Sequence, residues 1–223
     1  MADNPLWIAI DTPDRARAEA LARALGAHVG GLKLGLEYFT AHGPQGVAAL
    51  AGLGLPIFLD LKLHDIPNTV AGAMAALAPL APDIVTVHAA GGHGMLRAAR
   101  TAAPPGCRVV AVTVLTSLTG RDLAEMGLAD DPERLALALA RTAREAGLDG
   151  IVCSPFEAAA VRQHWRDSFI VTPGIRPEGA APGDQKRAAT PRQALAWGAD
   201  ALVVGRPVTG APDPAAAAAA LLA

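Results

Sequence analysis

The stretch FLDLKLHDIPNTV, Phe58 to Val70, places Asp60, Lys62 and Asp65 within six residues at the end of an apolar run. Ionised groups beside a core are costly unless they are paired. The cluster is therefore either an ion-paired structural knot or the seat of chemistry. Residues two apart on a strand share a face, which sets Asp60 beside Lys62. Lys33 would arrive from the neighbouring strand with Asp11 next to it, and Asp65 follows in the loop. Carboxylates around a lysine favour its charged form. A protonated lysine in a desolvated pocket is a general acid. For an isolated Asp-x-Lys pair the structural network would be the preferred reading, so the decision rests on where the fold puts these groups.

Short apolar or β-branched runs alternate with helical stretches rich in Ala, Leu and Arg. Strands are expected at Leu6–Ile10, Val29–Leu34, Pro56–Leu61, Asp83–His88, Arg108–Leu115, Gly150–Cys153, Phe169–Thr172 and Ala201–Val204. Helices are expected near 13–25, 37–52, 66–80, 94–103, 131–146, 155–165 and 190–197, with an eighth from about 213. Ala has the best helix propensity, so the alanine run 215–220 reads as helix. Strand–helix alternation gives parallel pairing, and uninterrupted apolar strands suit a sheet buried on both faces. Eight repeats in 223 residues fit an α/β fold of the TIM (β/α)8-barrel type better than an open doubly wound sheet. No linker or composition shift divides the chain, so one catalytic domain over 1–223 is expected.

Barrels of this kind carry their active sites on the loops at the C-terminal strand ends. Those ends gather Asp11, Lys33, Asp60 with Lys62, His88, Thr116 with Ser117, and the loops after strands seven and eight. Phosphate is frequently held by these last two loops. One supplies Gly174, Arg176 and Gln185; the other supplies Gly205 and Arg206. Glycine lets backbone N–H groups approach an anion, and arginine offers a forked donor. The Pro-, Gly- and Ala-rich segment from Pro177 to Asp184 reads as a lid that closes over a phosphate.

Composition narrows the classes. A net charge of -2 without a basic run argues against a nucleic-acid or anionic-membrane partner. No apolar stretch reaches a membrane-spanning length, and the opening MADNPLWIAID has neither a basic n-region nor a long h-region. A soluble cytoplasmic protein is expected. Cys107 and Cys153 lie far apart and read as buried thiols in a reducing compartment rather than as nucleophiles. No GxGxxG or GxxxxGK[ST] marks a dinucleotide or P-loop site. His64, His88 and His93 are read as hydrogen-bonding loop backbone rather than as ligands of a metal, which would have to tolerate Lys62 and Lys33 alongside. Trp7, Trp165, Trp197 and the Tyr38-Phe39 pair read as packing.

The segments IAID, LKLGLEYF, DLKLHDIPNTV, AVTVLTS, TPGIRP…GDQ and VVGRPVT together resemble the bacterial form of the orotidine 5'-phosphate decarboxylase family, from Ile8 to about Pro214. The DxKxxD element alone is shared with other phosphosugar enzymes. The resemblance implies decarboxylation of orotidine 5'-phosphate to UMP, the last step of UMP synthesis, without cofactor or metal. It implies ribose contacts from Asp11 and Lys33, with Lys33 also tied into the charged array. It places Asp60 against the substrate carboxylate and makes Lys62 the proton donor. Thr116 and Ser117 would contact the pyrimidine, and Arg176, Gln185, Gly205 and Arg206 the phosphate and lid. Asp65 and Thr69 would cross into a neighbour's site, implying a homodimer. Two other readings stand beside it: a metal-dependent β-keto-acid sugar-phosphate decarboxylase or aldolase on the same barrel, and a silent nucleotide-binding barrel.

Overall fold

A computed structural model describes residues 4–177 and 188–223. Eight parallel strands close into a barrel in the order β1 to β8: Leu6–Ala9, Gly31–Leu34, Ile57–Leu63, Ile84–His88, Arg108–Val112, Gly150–Val152, Phe169–Thr172 and Ala201–Val204. The α-helices of the described residues are α1 Arg15–Leu25, α2 Leu36–Ala51, α3 Pro67–Ala76, α4 Gly92–Thr101, α5 Gly120–Glu125, α6 Pro132–Glu145, α7 Pro155–His164, α8 Pro191–Ala196, α9 Arg206–Thr209 and α10 Pro214–Ala220. The expected architecture is therefore the one observed. Short α5 and α9 are additions, inserted in the loops after β5 and β8.

The barrel wall divides two cores. Trp7, Phe58, Ile84, Val110, Val171 and Ala201 pack together inside it. Ile8, Leu59, Val85, Val109, Ile170 and Leu202, the alternate strand positions, join the helices outside. Both faces are dry, which is why these strands carry no polar alternation. Trp7 and Phe58 meet edge to face, with ring centroids 5.9 Å apart. Gly31 on β2 makes this possible, because a Cβ there would collide with the Trp7 ring. The plug beneath the barrel mouth is thus a packed apolar floor.

The lower rim is fastened by a repeated device. Asp83, Asp149 and Asp200, each at the turn into an even-numbered strand, accept from the N–H groups of Ile57, Val109 and Ile170 at 2.8, 2.8 and 2.7 Å. Each carboxylate satisfies a strand-start donor that the parallel ladder leaves open. Chemistry-bearing side chains cluster at the other rim.

The first six strands depart from the expected bounds by one to three residues, and two of these departures have a clear physical reason. The apolar run after β5 continues to Leu115, but the strand ends at Val112. Val114 packs instead under the fifth loop against Leu123 and Ala136, a small satellite core. The third strand runs past Leu61 to Leu63, with its pairing to β4 broken between Leu59 and Leu63. One helix also departs from regularity: Gly43, at φ 58°, kinks α2 just before Pro44.

Candidate active site

Asp60 is the centre of the upper rim. Its Oδ1 accepts from Lys62 Nζ at 2.8 Å and from the Thr86 hydroxyl at 3.0 Å, while its Oδ2 faces Lys33 Nζ at 3.4 Å. Lys33 Nζ lies 3.4 Å from Asp11 Oδ1 as well. The chain Asp11–Lys33–Asp60–Lys62 thus alternates in sign. The expected second acid of the array, Asp65, is not part of it within one chain: it is exposed, and its Oδ1 accepts from the adjacent Ile66 N–H. Asp11 takes that place.

Electrostatics hold Asp60 ionised. Burial by itself would raise its carboxyl, but the Lys33 and Lys62 ammoniums and the hydrogen bonds from Lys62 and Thr86 outweigh it, so the group sits below its ordinary value. Space for the array is left by Gly35 at the end of β2, where a Cβ would come within 2.9 Å of Lys33 Nζ and 3.1 Å of Asp11 Oδ1.

Lys62 does not reach Asp60 by simple strand alternation, as the spacing predicted. Leu59 pairs with Val85 and Leu63 with Val87, so Asp60, Leu61 and Lys62 together oppose Thr86 alone. The backbone of Lys62 is left-handed, φ 51°, a conformation that non-glycine residues seldom adopt. Its N–H leaves the ladder and donates to Thr86 Oγ1 at 2.8 Å.

A cavity of about 430 Å³ opens over these groups. Of the residues singled out in the sequence, Asp11, Lys33, Asp60, Lys62, Thr116, Ser117, Arg176, Gly205 and Arg206 line it. The apolar remainder of the lining includes Phe58, Val112, Val152, Val171 and Val203, the top of the barrel floor. One wall is therefore charged and the floor greasy. Arg176 and Arg206 come from the loops after β7 and β8, and β8 pairs with β1, the strand that leads to Asp11. Asp65 and Thr69 are exposed at the head of α3 and do not line the cavity of their own chain. Gln185 and most of the expected lid, 178–184, lie outside the described residues.

Thr86 is the residue that sequence reading passed over. It is fully buried, yet it touches both Asp60 and the Lys62 backbone. A signal was present: in the run IVTVH of β4, it is a hydroxyl set among the aliphatic residues Ile84, Val85 and Val87. Of the three histidines expected to bond loop backbone, His88 does so, while the contacts of His64 and His93 are with side chains. His88 Nδ1 accepts from the Ala90 N–H, His64 stacks on His88 at 5.2 Å, and His93 pairs with Glu145. Burial, then the nearby His64 and Lys62, pushes His88 below its ordinary value. Both cysteines are buried. Cys107 is pushed up to about 12, chiefly by burial and then by Asp149 and Asp83 at the lower rim. A buried thiol held protonated in this way is a poor nucleophile. Among the described residues no helix is long and apolar enough to cross a membrane.

Known proteins resemble this chain over nearly its whole length. The family model described as Orotidine 5'-phosphate decarboxylase / HUMPS family matches residues 4–221. A protein named orotidine 5'-phosphate decarboxylase from Novosphingobium aromaticivorans is 55% identical over 218 residues, 98% of this chain and 97% of its own. One of the same name from Sphingopyxis alaskensis is 57% identical over 211 residues, 95% and 94% of the two chains. The crystal structure of orotidine 5'-phosphate decarboxylase from Lactobacillus acidophilus superposes with a TM-score of 0.86 at 38% identity, covering 99% of this chain and 98% of that one.

Proposed function

The chain belongs to the orotidine 5'-phosphate decarboxylase / HUMPS family, and on that premise we propose how it turns orotidine 5'-phosphate into UMP with its own side chains. The C6–carboxylate bond breaks, CO2 departs, and the bonding electron pair stays on C6 as a vinyl-type carbanion with no ordinary conjugated sink. Lys62 Nζ lies where that charge develops; it stabilises the carbanion and then delivers its proton to C6. Solvent restores the ammonium. Asp60 holds Lys62 in place at 2.8 Å and borders the position of the departing carboxylate.

The observation that carries this reading is the alternating array Asp11–Lys33–Asp60–Lys62 lining one cavity together with Arg176 and Arg206. Gly174, Arg176, Gly205 and Arg206 would hold the phosphate, with Gln185 from the lid. Asp11 and Lys33 would hold the ribose, and Thr116 and Ser117 the pyrimidine. Enzymes lower barriers by roughly 8–23 kcal/mol, and a reaction without an electron sink needs the upper part of that range. One ammonium is too little. Binding energy from the phosphate, remote from C6, is spent on positioning and closure, which raises the rate rather than only the affinity.

The decisive experiment is a spectrophotometric assay on orotidine 5'-phosphate, with and without a chelator. Turnover is expected, unaffected by chelation. Lys62→Ala is expected to abolish it while UMP still binds. Near-normal turnover in Lys62→Ala would remove Lys62 as proton donor. Chelator-sensitive activity on a β-keto-acid sugar phosphate, with none on orotidine 5'-phosphate, would favour the metal-dependent rival.

Asp65 and Thr69 suit a role in a neighbouring subunit's site, because they are exposed beside Ile66, itself 66% exposed. The proposal is a homodimer in which each cavity is completed by the other chain. Mixing inactive Lys62→Ala and Asp65→Ala proteins should then restore part of the activity; mixtures as silent as their parents would count against shared sites. The reading also places the protein in the cytoplasm, which cell fractionation would check.

A further inference from the structure

We infer that Thr86 is a positioning residue for the decarboxylation: its buried hydroxyl locks the β3 break at Lys62 and aims the Asp60 carboxylate, so that the Lys62 ammonium stands where C6 reacts. This inference rests on the proposed role of Lys62.

Thr86 is 0% exposed, on the inward face of β4. Its Oγ1 accepts from the Lys62 N–H at 2.8 Å and donates to Asp60 Oδ1 at 3.0 Å. A hydroxyl has one proton to give and lone pairs to receive, so it can serve both partners at once. The direction is fixed by chemistry: a backbone N–H can only donate, and an ionised carboxylate can only accept. The same Asp60 oxygen takes the Lys62 ammonium at 2.8 Å. One atom of Thr86 therefore connects the backbone of the lysine to the carboxylate that holds its side chain.

The register break makes this connection necessary. Three residues of β3 face Thr86 alone, and the left-handed Lys62 has turned its N–H out of the strand ladder. A buried N–H without a partner is strongly disfavoured. Without the hydroxyl, the segment gains by relaxing toward regular pairing, and that relaxation swings Lys62 away from its place. Small displacements of a reacting group are expensive in rate even when substrate still binds. A network of this kind also acts on Asp60, since hydrogen bonds to the carboxylate help hold it ionised.

The test compares Thr86→Val, isosteric but without the hydroxyl, with Thr86→Ser, which keeps it. Thr86→Val is expected to lower kcat roughly ten- to a hundredfold, with KM changed by no more than about threefold, because the substrate contacts remain. Thr86→Ser should recover most of kcat. The acid limb of the kcat–pH profile should move to higher pH in Thr86→Val, since Asp60 loses a donor. A merely structural threonine would lower the melting temperature and leave kcat per folded molecule and the pH limb unchanged; that result overturns the inference. So does an equal loss of kcat in the Val and Ser variants. If Thr86→Val does not fold, Thr86→Ala takes its place in the same comparison with Ser. Lys62→Ala, measured alongside, separates the two claims. An inactive Lys62→Ala with a fully active Thr86→Val sinks only the role of Thr86, whereas an active Lys62→Ala sinks the underlying reading.

Discussion

Replacing Asp60 by Asn keeps the shape of the side chain and removes the charge on which the rim array converges. Asp60 is 15% exposed, Lys33 9% and Lys62 32%. At an effective dielectric of about 20, unit charges at the Lys33–Asp60 distance of 3.4 Å attract by about 5 kcal/mol before desolvation is subtracted. Removing one partner of a buried pair typically costs about 3–5 kcal/mol, because the other charge is stranded. Lys33 keeps Asp11 as a half-exposed partner, and Lys62 can turn partly to water. We therefore expect Asp60→Asn to destabilise the fold by about 2–4 kcal/mol, lowering the melting temperature by roughly 10 °C. The assay is denaturant unfolding followed by tryptophan fluorescence, for which Trp7 beneath the site is well placed. The sharper readout is a double-mutant cycle. Lys33→Met removes the charge that Asp60→Asn strands, so the double variant should be less destabilised than the sum of the singles by about 1–3 kcal/mol. Additivity within about 0.5 kcal/mol would refute the claim that Asp60 is the hub of a coupled buried array.

Two further outcomes are expected. Arg206→Ala should weaken UMP binding about ten- to a hundredfold, the value of one charge-assisted hydrogen bond, and leave a phosphate-free nucleoside almost unaffected; equal losses in titration calorimetry would contradict the phosphate assignment. Stability should also depend on acid pH through Asp60. Its carboxyl lies below the ordinary 3.8 in the folded protein, so its contribution is complete above about pH 5 and is lost as pH falls through the folded value. Asp60→Asn should accordingly flatten the stability–pH curve on the acid side; an unchanged slope in acid-unfolding titrations would show that other carboxylates carry it.

The barrel was legible because its signals are local and repeated. Each strand is a short run apolar on both faces, each helix follows, and eight such units leave little choice of closure. Most of the cavity lining was legible for a related reason: in a parallel barrel every C-terminal strand end reaches the same rim, so Asp11, Lys33, Asp60, Arg176 and Arg206 meet by topology alone. What one chain's local pattern misled about was boundaries. Val114 continues an apolar run past the end of β5 because a small satellite core lies under the fifth loop, while Leu115 stays exposed at the cavity.

The amino-acid order by itself determined which side chains could do the chemistry and which rim they would share. Only the folded molecule decided how they engage. Sequence spacing offered a regular strand with Asp60 and Lys62 on one face, whereas the register slip against β4 turns Lys62 through a left-handed backbone and ties it to Thr86. It also offered Asp65 as the second acid, and space assigned that place to Asp11. Register and distance between strands depend on residues far apart in the chain, and no spacing along one strand encodes them.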